Sequence, residues 1–192
     1  MTTGPRARLI ESAIELVREQ GVAGAGLTAL LDRSKASRNS LYQHFPSGKS
    51  ELVATATTIA GARLAAVIEK ITQSRPPQRW LDALIGWWIS ALAASSFQAG
   101  CPIVGAALAE SEPDVQASAG AVFADWHARL GTGLAEAGLP AEEASSFASF
   151  VISAMEGAIV QSRAMKSTQP LTDAQKQLTV LLDRYLPPAA DR

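Results

Sequence analysis

Cysteine is nearly missing from this sequence. Cys101 is the only one in 192 residues, which excludes an internal disulfide framework and points to a reducing compartment. Histidine is nearly as scarce, with only His44 and His127, in different parts of the chain. There is no metal-ligand cluster and no Gly-rich phosphate loop, so nothing calls for a metal or a cofactor. A Ser-His-Asp set can be picked out of almost any chain and carries no weight. No apolar run follows a basic start, so no signal peptide is expected. No stretch reaches about 18 uninterrupted apolar residues, so no membrane span and no membrane partner are expected. The expected location is the cytoplasm. Strand alternation and internal repeats are absent as well, and the fold class is all-α, with about nine helices.

What is present is a hydrophobic content of 47%, enough for a packed interior. Net charge is −1, which alone argues against a general nucleic-acid binder. The distribution is uneven. Residues 1–50 hold seven Lys/Arg against four Asp/Glu, a net of +3, and the remainder holds ten against fourteen, a net of −4. A modestly basic head on an acidic body is the asymmetry expected if only the head meets phosphate.

The chain is organised around the stretch from Leu27 to Glu51. Leu27, Leu30 and Leu31 make the i, i+3, i+4 stripe of a packed helix. Ser34-Lys35-Ala36-Ser37 is a tight polar break. Leu41 and Phe45 then lie four apart on one face of a second short helix, which Ser37 is suited to cap and Pro46 stops. Helix, short turn and short helix with a polar outer face is the pattern of a helix-turn-helix reader.

The run Ser37-Arg38-Asn39-Ser40-Leu41-Tyr42-Gln43-His44-Phe45, with Ser47-Gly48-Lys49 and Glu51-Leu52 after it, resembles the DNA-binding signature of the TetR family of bacterial repressors. The Leu-Tyr-x-His-Phe core with Lys four residues after the Phe is fairly specific, and it covers about a quarter of the chain. This sequence departs from that pattern in two places. Lys35 stands where the family usually has Gly in the turn, and Gly26 stands where it has a hydroxyl residue at the helix cap.

In chain order, the first helix is expected from Pro5, after Thr3-Gly4, to about Gln20, with Gly21 ending it and a Gly/Ala connection to Gly26. The core of the first three helices is expected from Leu9, Ala13, Leu16, Val17, Leu30, Leu31, Leu41 and Phe45. A long fourth helix, capped by Ser47, is expected through about Thr72. Ser74-Arg75-Pro76-Pro77 is the next break. Further helices are expected over Pro77–Ser95, Pro102–Glu110, Ser111 to near Gly138, Pro140–Met165 and Pro170–Leu186, with Pro187-Pro188 opening a frayed tail. The domain division is residues 1–47, a helix-turn-helix head, and 48–192, a ligand-binding and dimerisation body. Gly100-Cys101-Pro102-Ile103, Met155-Glu156-Gly157-Ala158 and Ser162-Arg163-Ala164 resemble the LmrA/YxaF-type branch of the same family. That resemblance implies repression of drug-efflux genes and release by planar aromatic compounds.

A recognition helix enters the major groove N-terminus first, so Arg38, Asn39, Ser40 and Gln43 are expected at base edges, beside the capping Ser37. Arg38 suits guanine, and Asn39 or Gln43 suits adenine. The family resemblance places Tyr42, His44, Lys49 and Thr28 nearer the phosphates. One head reads few base pairs, so a homodimer on a palindromic double-stranded operator is expected. Ser145, Ser149, Ser153 and Gly157 form a small-residue stripe suited to close helix approach, with Leu178 and Leu182 of the last helix beside it. For a small hydrophobic or aromatic effector, the expected lining is Trp87, Trp88, Cys101, Phe123, Trp126 and Met155. Trp87 and Trp88 are consecutive and cannot both face one way. A ligand wedged against the fourth helix would swing the heads out of register. Two other classes stay open at this point: an enzyme, and a helical small-molecule-binding protein without affinity for DNA.

Overall fold

Periodic apolar residues and well-placed prolines set the helices. The computed structural model describes residues 4–74 and 76–186. Thr3, Arg75 and the Pro187-Pro188 tail lie outside the described residues. Within them the chain forms α1 (Pro5–Gly24), α2 (Leu27–Ser34), α3 (Arg38–His44), α4 (Lys49–Ser74), α5 (Trp80–Ala94), α6 (Pro102–Ala107), α7 (Pro113–Glu136), α8 (Ala141–Met165) and α9 (Gln169–Tyr185), and no strand. Proline stands in the first turn of α1, α6 and α9, where its missing N–H costs nothing. Three details depart from the sequence reading. Gly21, at φ 72°, breaks α1, but one more turn follows to Gly24. Pro77–Arg79 is a separate 3₁₀ turn ahead of α5. α6 stops at Ala107, short of Glu110.

The helices gather into two compact units. The first takes the chain up to Arg63 together with Cys101–Phe123, and the second takes Leu64–Gly100 and the chain from Ala124 onward. These cuts differ from a division at residue 47. The segment holding α6 returns to the N-terminal unit because α6 packs on α1. A Cβ on Gly105 of α6 would stand 3.1 Å from the Val17 Cγ1 of α1.

In the first unit, Leu9, Ala13, Leu16, Val17, Leu30, Leu41 and Phe45 are buried, while Leu31 is only half-buried. Gly61 of α4 lies so close to α7 that a Cβ there would meet the Val122 methyls at 2.4 and 2.5 Å. Two ion pairs bind α1 to its neighbours, Glu11 to Arg63 of α4 and Glu19 to Arg33 of α2. In each, hydrogen bonding from the arginine, aided by its charge, holds the carboxyl below its usual range. A carboxyl depressed this way adds stability above its unfolded pKa, and that stability fades as pH falls through the folded value. Both pairs face water, so the amount is small.

α4 is long and apolar enough to cross a membrane by length and composition alone. Its apolar side is spent inside the protein: Leu52, Val53, Leu64, Ile68 and Ile71 are all buried.

The second unit is built on α8, which packs against α9 and α5. Its interior includes Leu84, Ile85 and Trp88 of α5, Leu130 and Leu134 of α7, and Phe147, Val151, Ile152, Met155 and Ile159 of α8. Leu171, Leu178 and Leu182 of α9 complete it. The loop after α5 is unusual: Ser96 and Phe97 both take left-handed backbone, at φ 49° and 60°. Cations from the end of α8 hold it, with Arg163 Nη2 donating to the Gln98 carbonyl at 2.6 Å and Lys166 Nζ to the Phe97 carbonyl at 3.3 Å. Gly100 is the space Arg163 needs, since a Cβ there would lie 2.7 Å from Arg163 Cδ and 2.9 Å from Nη1. Gly100→Ala is therefore expected to displace Arg163 from the Gln98 carbonyl and lower unfolding free energy by about 1–2 kcal/mol. In an Arg163→Ala background the same change should cost almost nothing, and a denaturant double-mutant cycle checks this.

Candidate nucleic-acid interface

Gly26 caps α2 without a side-chain bond. At the other end Lys35 takes left-handed backbone, φ 49° and ψ 40°, a conformation that costs a non-Gly residue roughly 1–2 kcal/mol. The turn is braced against that cost. Arg8 Nε of α1 donates to the Ser34 carbonyl at 3.0 Å, Ser34 Oγ donates to the Leu31 carbonyl at 3.2 Å, and the Ala36 N–H donates to the same carbonyl at 3.2 Å. Ser37 then caps α3, its Oγ accepting from the Ser40 N–H at 3.1 Å.

Only Leu41 of α3 is buried, and Phe45, just after it, is 1% exposed beneath the Arg6 guanidinium at 5.5 Å. These two anchors turn the other face of α3 outward. Ser37, Arg38, Asn39, Tyr42 and Gln43 are exposed, and Ser40 and His44 are half-buried. Thr28, near the start of α2, is exposed too. Tyr42 lies over Gly48, whose backbone at φ 80° favours glycine and whose Cβ, if present, would stand 3.1 Å from Tyr42 Cε1. α4 starts one residue later, with Glu51 accepting from the Ser47 N–H at 2.8 Å.

Lys49 is placed differently from the expectation of a phosphate-facing side chain. Its Nζ stands 2.7 Å from Glu112 Oε1 and 3.4 Å from the Val22 carbonyl. Glu112 was not foreseen. It lies far along the chain, and no local pattern marks it as a partner.

On α8, the side facing away from the core carries exposed Ser145, Ser153 and Gly157 with half-buried Ser149, and exposed Phe150 and Val160 beside them. An open groove of about 510 Å³ runs along Ser153, Gly157, Gln161, Met165, Asp173 and Gln177 of α8 and α9. A second, of about 460 Å³, runs along His127, Gly131, Ala135 and Ser145 of α7 and α8. Leu178 and Leu182 correct the sequence reading. Each is 1% exposed within its own chain, where it holds α9 to the unit. The aromatic set divides between the two units. Cys101 and Phe123 belong to the first unit, and Trp87, Trp88, Trp126 and Met155 to the second. Trp88, Trp126, Met155 and Cys101 are buried, Phe123 is half-buried, and Trp87 is 44% exposed, its ring edge-on to Trp88 at 4.8 Å. Neither groove is lined by any of them.

Comparison with known proteins bears on this geometry. Residues 9–56 match the model of bacterial regulatory proteins of the tetR family, and residues 77–177 match that of the LmrA/YxaF-like transcriptional regulator C-terminal domain. An uncharacterized HTH-type transcriptional regulator of Mycobacterium tuberculosis is 35% identical over 96% of this chain and 97% of its own length. The uncharacterized HTH-type transcriptional regulator YxaF of Bacillus subtilis is 30% identical over 92% and 94%. The crystal structure of the regulatory protein TetR from Rhodobacter sphaeroides superposes with a TM-score of 0.83 at 19% identity, over 92% of this chain and 97% of that one. One family model covers the reading motif, another covers more than half the chain, and a relative matches nearly end to end. The chain belongs to the TetR family of DNA-binding transcriptional regulators, in its LmrA/YxaF-like branch, and is a regulator and not an enzyme.

Proposed function

We propose that the protein is a ligand-responsive repressor that binds a palindromic operator as a homodimer in the cytoplasm. Residues 1–47 read DNA, and residues 48–192 serve effector binding and dimerisation. The observation that carries this is the outer face of α3. Arg38, Asn39, Tyr42 and Gln43 are all exposed on a helix that is capped at Ser37 and anchored by Leu41 and Phe45. Such a helix enters the major groove with its N-terminal residues at the bases. Arg38, Asn39, Ser40 and Gln43 then meet base edges, and Thr28, Tyr42 and His44 meet phosphates. Two heads about 34–36 Å apart would meet consecutive major grooves. The α8 stripe, exposed and flanked by two grooves, supports pairing there through a four-helix contact between α8 and α9 of each copy.

The buried aromatics Trp88 and Trp126, and the LmrA/YxaF-like body, support a small hydrophobic or aromatic effector and an efflux or detoxification target. α4 belongs to both compact units, so an effector pressing on it changes head spacing by differential affinity for two states. The test is retardation of a fragment from the protein's own promoter region at several salt concentrations. Binding that weakens steeply with salt, and is relieved by an aromatic effector, is the expected result. A monomeric protein indifferent to every such fragment removes the reading.

A further inference from the structure

We propose that Lys49 and Glu112 form a positioning latch, an ion pair through which the turn ahead of α7 fixes the α3–α4 corner and so the angle of the reading helix. The proposal rests on the operator reading above. Lys49 is the first residue of α4, at the free end of a long helix. Its side chain is instead only 26% exposed and that of Glu112 only 17%, with 2.7 Å between charges.

The third party is the Val22 carbonyl, 3.4 Å from the same Nζ. In an unbroken helix the Gly26 N–H would serve that carbonyl. Here the chain turns after Gly24, and the Gly26 N–H donates to the Gly24 carbonyl at 2.8 Å. Lys49 takes over the vacated acceptor. An ammonium has three donors, and two are spent on protein groups. Glu112 is itself held: its N–H donates to the Ala109 carbonyl at 2.9 Å, and its carbonyl accepts from Val115 and Gln116 at 3.0 and 3.1 Å. The end of α1, the start of α4 and the turn before α7 are thereby tied at one point inside a single compact unit. Next to Lys49 stands Gly48, against which the Tyr42 ring of α3 rests. Whatever holds Lys49 holds the floor under Tyr42.

A phosphate contact and a latch give opposite results for Glu112. Lys49→Met, Glu112→Gln and the double variant are compared with the unaltered protein for operator affinity and its salt dependence, well below the unfolding temperature. For a latch, each single variant lowers affinity by about tenfold, the double is no weaker than either single, and the dependence on log salt keeps its slope. A purely stabilising pair would lower the unfolding midpoint and leave the affinity of the folded protein alone, which overturns the proposal. A phosphate contact also overturns it. There Glu112→Gln tightens binding by freeing the lysine, and Lys49→Met flattens the salt slope by about one for each head. Unaltered protein that binds no fragment removes the operator reading itself and the positioning role with it, even where denaturant unfolding still shows the two charges coupled.

Discussion

Gly157→Arg is expected to leave a stably folded chain that no longer dimerises and that binds its operator at least a hundredfold more weakly. Within one chain the substitution meets no obstacle. Gly157 is exposed in the middle of α8, and a Cβ there has nothing within 4 Å. Replacing glycine in a helix interior removes a penalty of roughly 0.5–1 kcal/mol, so the melting temperature should hold or rise. Across a two-fold axis the same change sets two guanidinium groups and their long stems where small residues allow backbones to approach. Two linked heads bind more tightly than one by about 10²–10⁴, and that factor is what the monomer loses. Sedimentation, helix melting by circular dichroism and gel retardation read the three consequences separately. Leu182→Asp is the contrasting control. That side chain is 1% exposed inside its own chain, so the carboxylate enters an apolar interior and the chain should unfold. A Gly157→Arg protein that stays dimeric would place the contact on another face.

The contrast between these two positions marks what was legible in the sequence. Periodicity in α8 and α9 reveals which residues share a face, and the α8 boundaries read from Pro140 and Met165 agree with Ala141–Met165. It does not say what that face meets. Leu178 and Leu182 looked like contact residues because an amphipathic helix has one apolar side, and in the fold that side is consumed by the helix's own unit. Consecutive tryptophans gave better guidance, because a helix must point them apart, and Trp88 is 2% exposed against 44% for Trp87.

The motif was legible because its logic is local. Ser37 caps the helix it precedes, Leu41 and Phe45 are one turn apart, and Lys35 takes the left-handed turn that Gly usually fills. Features that depend on distant parts of the chain were not. The packing of α6 on α1 brings residues 101–123 into the first compact unit, and no local pattern announces it. The pairing of Lys49 with Glu112 spans the same gap, and so does the fit of Gly61 against Val122. Ser96 and Phe97 are left-handed without any glycine to announce it, and their loop is kept by Arg163 of α8 and by Lys166 just after it. Each is a tertiary solution to a backbone or charge that local pattern leaves open.

Arg38→Ala is expected to lower specific operator affinity by about 5- to 150-fold for each head while leaving stability and non-specific DNA binding nearly intact, the loss of one bidentate base contact per half-site at about 1–3 kcal/mol. Arg38 is the first residue of α3, exposed, next to the capping Ser37, at the end that enters the groove first. Truncation removes no buried area and breaks no cap, because the bond that closes the first turn runs from the Ser40 N–H to Ser37 Oγ. Gln43→Ala should behave alike at a different base pair, and the two losses should add, since the residues lie more than one turn apart. Tyr42→Phe gives the other signature: removing a hydroxyl that meets only phosphate weakens every sequence about equally and leaves the preferred bases unchanged. Selection of tight binders from a randomised operator library by each variant separates these outcomes. Relaxed preference confined to one base pair per half-site marks a base-reading residue. An Arg38→Ala protein that selects the same sequence with the same affinity would show that α3 presents this side chain to solvent and not to a base.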